Sequence, residues 1–91
     1  MTILAYVLFK VGSGTEREVC EKLVNFDEVI HADITFGEYD VIARIKTENL
    51  ETLEDFVSKK MRTVPSTLVT STMLISKEFA GKNYKGQSKT P

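Results

Sequence analysis

The chain has 91 residues, 42% of them hydrophobic and 27% charged, with a formal net charge of −1; this is the make-up of one globular domain, or one domain with a tail, and it gives no electrostatic pull toward nucleic acid or an anionic membrane. One cysteine, Cys20, excludes an intrachain disulfide and a multi-cysteine metal site, and no apolar run reaches the roughly 18–20 residues of a membrane span. The start lacks the positive region of a signal peptide, so a reducing, cytoplasmic compartment is expected.

Residues 3–11, ILAYVLFKV, are rich in β-branched and aromatic types and end at Gly12-Ser13-Gly14, which reads as a first strand. Thr15 followed by Glu18 is a capping-box pattern, and Val19, Cys20, Leu23 and Val24 recur at helical spacing, so a first helix follows. Residues 29–36, VIHADITF, form a second strand. Gly37 breaks it, and residues 40–46, DVIARIK, form a third, close enough for an antiparallel hairpin. Asn49 can cap a second helix whose apolar stripe is Leu50, Leu53, Phe56 or Val57, Met61 and Val64, ended by Pro65. Residues 68–76, LVTSTMLIS, make a fourth strand. The order predicts an α+β, ferredoxin-like βαββαβ domain over 1–79, with a four-stranded antiparallel sheet and both helices on one face. From Gly81 the composition turns to GKNYKGQSKTP, so residues 80–91 are expected to be a flexible lysine-containing tail. Its three lysines, taken from a net charge of −1, leave the folded part at −4.

The first strand goes beyond what a two-layer fold requires. Such a strand should be apolar toward the helices and polar on its other side. Here Ile3, Ala5, Val7, Phe9 and Val11 fill one face while Leu4, Tyr6 and Leu8 fill the other. The fourth strand is also two-sided, with Val69, Met73 and Ile75 against Leu68 and Leu74. A domain this small buries only about 60–65% of its unfolded surface, and a second copy packed sheet to sheet would cover the open face. Leu4, Tyr6 and Leu8 are the expected dimer interface.

Catalytic constellations are missing. There is one histidine, no CxxC, no P-loop, no GxGxxG and no serine in an elbow context, so neither an enzyme nor a metal or other cofactor is expected. Cys20 reads as a small buried filler and His31 as a packed or edge-exposed polar residue. An RNA-reading sheet of this fold needs exposed aromatics on a basic surface; Tyr6 is the one candidate on the second face of the first strand, and the third strand offers Arg44 but no aromatic. The segment Gly37-Glu38-Tyr39-Asp40 admits two readings. It is a hairpin turn, with Gly for positive φ and Asp for local backbone bonding. It also offers free turn N–H groups for a carboxylate and an ionised Asp for an ammonium, the two complements of an α-amino acid.

The stretch ADITFGEYDV (32–41), the strand to Thr47, Pro65 and Thr70-Ser71-Thr72-Met73 together resemble the ligand-binding domain of the Lrp/AsnC feast/famine regulators, a match spanning residues 2–76. The resemblance implies sheet-to-sheet dimers, higher assemblies such as octamers, and a free amino-acid effector in clefts between dimers. It places Gly37, Glu38, Tyr39 and Asp40 in the effector site, with Asp40 on the ammonium, and Thr70, Ser71 and Thr72 on the opposite wall. Members of that family begin with a helix-turn-helix domain, whereas here a strand starts at Ile3, so a stand-alone module without direct DNA binding is expected. It would act alone or by co-assembling with full-length Lrp/AsnC regulators. The alternatives are a ligand-free oligomerisation module, or a small dimeric α+β barrel enzyme using His31 or Asp40 for proton transfer.

Overall fold

Strands β1 (Ile3–Val11) and β3 (Val41–Thr47) run through the middle of a four-stranded sheet in a computed structural model that describes residues 2–84. β2 (Val29–Ile34) flanks β3 and β4 (Thr67–Leu74) flanks β1, giving the order β2-β3-β1-β4 with every neighbouring pair antiparallel. With helix α1 (Glu16–Leu23) after β1 and a second helical segment beginning with α2 (Leu50–Asp55) after β3, this is the expected βαββαβ, ferredoxin-like arrangement.

The two-residue period of the strands sorts the side chains. Ala5, Val7 and Phe9 of β1 and Val41, Ala43 and Ile45 of β3 point to the helix side and are fully buried. Val19 and Leu23 of α1 and Leu53 and Phe56 of the second segment close over them in one core. Phe26, just past α1, meets Phe56 edge to face with ring centroids 5.5 Å apart, which ties the two helical segments to each other.

Three local features depart from expectation. Thr15 does not form a capping box; its hydroxyl donates to Gly12 O at 2.5 Å, closing the turn that leads into α1. Val24 leaves the apolar stripe because the helix ends at Leu23 and Val24 lies half exposed past it. The second helix is α-helical only to Asp55, then continues as a π-helical turn (Phe56–Lys60) and a 3₁₀ turn (Met61–Thr63). The stripe explains the π turn. Phe56 and Met61 are five residues apart, and on an α-helix they would diverge by about 140°. The wider i→i+5 winding, with Met61 N–H donating to Phe56 O, brings both onto the core face, where both are buried. Asn49 caps α2 as expected, its Oδ1 accepting from Thr52 N–H at 2.8 Å.

Strand ends also shift. β2 stops at Ile34, which places Thr35 and Phe36 in the turn, and β4 runs 67–74 rather than 68–76. Of the tail expected over 80–91, residues 85–91 lie outside the described residues; within 80–84, Tyr84 N–H closes a turn onto Gly81 O at 3.0 Å.

Candidate functional site

α1 packs on β2 and β3 and α2 on β3, which leaves the edge strand β4 largely exposed on both faces. The whole of the other sheet face has no helix over it. Leu4, Tyr6 and Leu8 lie on this open face, half-buried, beside Ile42 of β3 and half-exposed Val69 and Met73 of β4. The two-sided pattern of β1 therefore corresponds to a real apolar surface.

The hairpin between β2 and β3 is built by its own residues. Gly37 has φ +147°, a region that a side chain would strain, so the break in the strand needs glycine. Thr35 donates from its N–H to Asp40 O at 2.9 Å and from its hydroxyl to Tyr39 O at 2.7 Å, closing the loop. Asp40 then fastens the loop to β1: its N–H donates to Phe9 O at 2.8 Å, and its Oδ2 accepts from Val11 N–H at 3.0 Å. Lys10 Nζ stands 5.6 Å from the Tyr39 ring centroid. Asp40 Oδ1 and the N–H groups of Gly37, Glu38 and Tyr39 carry no hydrogen bond among the described residues. Phe36 is fully in solvent and Glu38 is exposed. The loop thus presents a tip with open donors near a carboxylate that keeps one oxygen open.

On β4 the expected wall is divided by strand geometry. Thr70 pairs with Phe9 and Thr72 with Val7, so both face the helix side, whereas Ser71 pairs with Leu8 and faces the open side. Thr72 lines an apolar groove of about 430 Å³ with Leu50, Leu53, Val57 and Leu74. Thr70 lines an adjoining recess of about 600 Å³ with Val57, Met61 and Arg62. Within one chain β1 stands between these threonines and the hairpin, so a single copy does not bring the two halves of the expected site together.

The remaining singled-out residues have ordinary surroundings. Cys20 packs partly buried against the core, and burial first, then the charge of Asp33, pushes its thiol up, away from a reactive thiolate. His31 is on the edge strand, partly exposed, 3.5 Å from Asp33. No group of three or more His, Cys, Asp or Glu side chains among the described residues could hold a metal ion, and no helix there is long and apolar enough to cross a membrane. The sequence marked Arg44 only as a basic residue on the third strand, and did not single out Glu78. Arg44, at mid-β3, is only 8% exposed on the open face, with Nη1 donating to Tyr6 Oη at 3.2 Å and Nη2 to Glu78 Oε2 from the segment beyond β4. An arginine flanked by Ala43 and Ile45 at mid-strand was the one available signal; nothing in the run around Glu78 distinguishes it.

Comparisons with known proteins agree with this architecture. The model of the Lrp/AsnC ligand binding domain matches residues 4–83. The HTH-type transcriptional regulator FL11 of Pyrococcus abyssi is 34% identical over 76 residues, covering 84% of this chain and 50% of its own length. The chain spans about half the length, or less, of the curated relatives it matches, which are transcription regulators. Among solved structures, hypothetical protein PHS023 from Pyrococcus horikoshii superposes with a TM-score of 0.77 at 40% identity, covering 86% of this chain and 93% of that one. The transcriptional regulator NMB0573 from Neisseria meningitidis, in complex with L-Met, shares the fold with a TM-score of 0.78 at 14% identity, over 93% of this chain and 56% of that one. A sheet of this order, a G-x-Y-D hairpin clamped to β1 and a family match along nearly the whole described chain lead to one conclusion: the chain belongs to the Lrp/AsnC ligand-binding domain family.

Proposed function

We propose that the chain is a small-molecule-sensing regulatory module whose effector is a free α-amino acid, bound in a cleft that two copies complete. The hairpin of one copy supplies the open N–H groups of Gly37, Glu38 and Tyr39 for the effector's carboxylate and Asp40 Oδ1 for its ammonium. Thr70 and Thr72, beside the α2–β4 groove of another copy, form the facing wall and meet the effector's side chain. Ser71, on the open face, belongs instead with the dimer surface of Leu4, Tyr6 and Leu8. The observation that carries this reading is the pairing of unfilled backbone donors with a half-engaged carboxylate on one hairpin. The L-Met bound by the fold relative NMB0573 supports the effector class. The regulators among the relatives support a role in transcriptional control, exercised in the cytoplasm, alone or by co-assembly with full-length Lrp/AsnC regulators.

One observation favours a second reading. Asp40 already accepts Val11 N–H, which is what a purely structural turn residue would do, and a ligand-free oligomerisation module would need no more. A thermal-shift screen against the twenty amino acids separates the two. A ligand at 100 times its Kd adds about 2.7 kcal/mol, and at about 4–8 °C per kcal/mol for a domain of this size that is a rise of roughly 10–20 °C. A flat screen at millimolar concentration would leave the oligomerisation module standing.

A further inference from the structure

The wall that would face the effector has two unlike halves. The groove beside Thr72 is lined almost wholly by carbon, from Leu50, Leu53, Val57 and Leu74. The recess beside Thr70 is mixed: Val57 and Met61 give it apolar surface, while Ser58, Arg62 and Thr67 bring polar groups. The two halves therefore suit different occupants. The hairpin carries an occupant for the groove. Phe36, next to Gly37, is fully exposed, and burying a phenylalanine in an apolar seat is favourable. When the hairpin of one copy meets the α2–β4 wall of another, Phe36 takes the groove, and the recess is left for the effector's side chain.

That recess holds a cation with no counter-charge. On the same helical stretch Lys59 pairs with Asp55 at 3.6 Å and Lys60 with Glu28 at 2.6 Å. Arg62, two residues on, lines the recess, is exposed, and has no ion pair among the described residues. Glu54 borders the groove, not the recess. Thr67, also in the lining, has a buried hydroxyl with no hydrogen-bond partner among the described residues, and buried polar groups are ordinarily paired. A second copy closing over the recess would take Arg62 out of water, which is costly unless an anion meets it. A carboxylate answers a guanidinium with two parallel hydrogen bonds. An aliphatic side chain would leave the charge unpaired, and an ammonium would be repelled by it. Resting on the reading of an α-amino acid in the shared cleft, we propose that the effector's side chain ends in a carboxylate and that Arg62 selects it, while Phe36 of the facing copy fills the groove that would otherwise admit an aliphatic side chain. The hairpin then binds what all α-amino acids share, and Arg62 decides among them.

The test is calorimetry on the full chain with L-glutamate and L-aspartate, their neutral isosteres L-glutamine and L-asparagine, and L-leucine. At least one acid should bind the parent about tenfold or more tighter than its own amide, with leucine weaker than that acid. Arg62→Met keeps the aliphatic stem and removes the charge, and at an exposed position it should fold. It should bring the acid down to the level of the amide while leaving the amide unchanged, a loss of preference that a merely structural arginine would not produce. Asp40→Asn should instead weaken acid and amide by the same factor. Phe36→Ala should also weaken both alike, and improve leucine relative to them. An amide or leucine that binds the parent as tightly as the acids overturns the proposal, as does a preference for the acid that survives Arg62→Met. If a neutral amino acid binds best and Asp40→Asn weakens it, the cleft reading stands and the acidic effector alone falls. If none of the twenty amino acids binds at millimolar concentration, both fall.

Discussion

Replacing Asp40 tests whether the hairpin is clamped as described. Its Oδ2 is the acceptor for Val11 N–H, a backbone donor at the register shift where β1 pairs with β4. Asp40→Ala leaves that part-buried N–H unmet, which costs about 1–3 kcal/mol. On a domain of this size, the loss should lower the melting temperature by roughly 4–8 °C per kcal/mol. Asp40→Asn keeps an oxygen in the same place and exchanges a charge-assisted bond for a neutral one, a loss of about 1 kcal/mol. Urea unfolding of the three proteins should therefore rank parent, Asn and Ala in falling order, with the slope unchanged. Hydrogen exchange at Val11 N–H should accelerate in Asp40→Ala and much less in Asp40→Asn. An Ala variant as stable as the parent, with Val11 still protected, would refute the clamp.

Leu8→Glu places a charge between Ile42 and Ser71 on the open face, where a lone copy leaves it able to reach water, so light scattering should find folded monomer; a particle of parental mass would contradict the sheet-to-sheet dimer. Asn49→Ala removes the α2 cap and should cost about 1 kcal/mol in denaturant unfolding, whereas an unchanged midpoint would mean that the cap carries nothing. Burial alone would raise the Glu28 carboxyl, but the Lys60 ammonium at 2.6 Å and Glu28's own backbone N–H hold it below its usual range. Its stabilisation is therefore complete above the unfolded-state value and is lost as pH falls through the folded one. Lys60 is half exposed, so the gap between parent and Glu28→Gln should be about 0.5–1 kcal/mol near neutrality and close in acid; a gap that does not change with pH would contradict it.

Element order, the β2–β3 hairpin and the two-sided β1 were legible because strand alternation, Gly37 and Asn49 each act within a few residues. The π turn was not, because nothing local marks it; it arises from fitting Phe56 and Met61 to one core. Val24 fell outside the core for a similar reason, since an apolar stripe does not say where the helix stops. In the candidate site, the hairpin was visible as a contiguous motif. Thr70, Ser71 and Thr72, consecutive on a strand, alternate between faces, so the run does not present one wall from a single copy. The second job of Asp40, holding Val11 N–H, depends on a contact 29 positions away in sequence, and the pairing of Arg44 with Glu78 on one 34 positions away.

The central claim is that one copy's hairpin and another copy's β4 complete the effector cleft. Calorimetry on a mixture tests it most directly, using whichever amino acid the thermal screen selects. Asp40→Asn and Thr72→Val, each alone, should bind that amino acid weakly. Mixed, unfolded and refolded together, they should regain a population of clefts with parental affinity, because some clefts then join an intact hairpin to an intact β4. A mixture that binds no better than the two variants apart would contradict a cleft shared between copies.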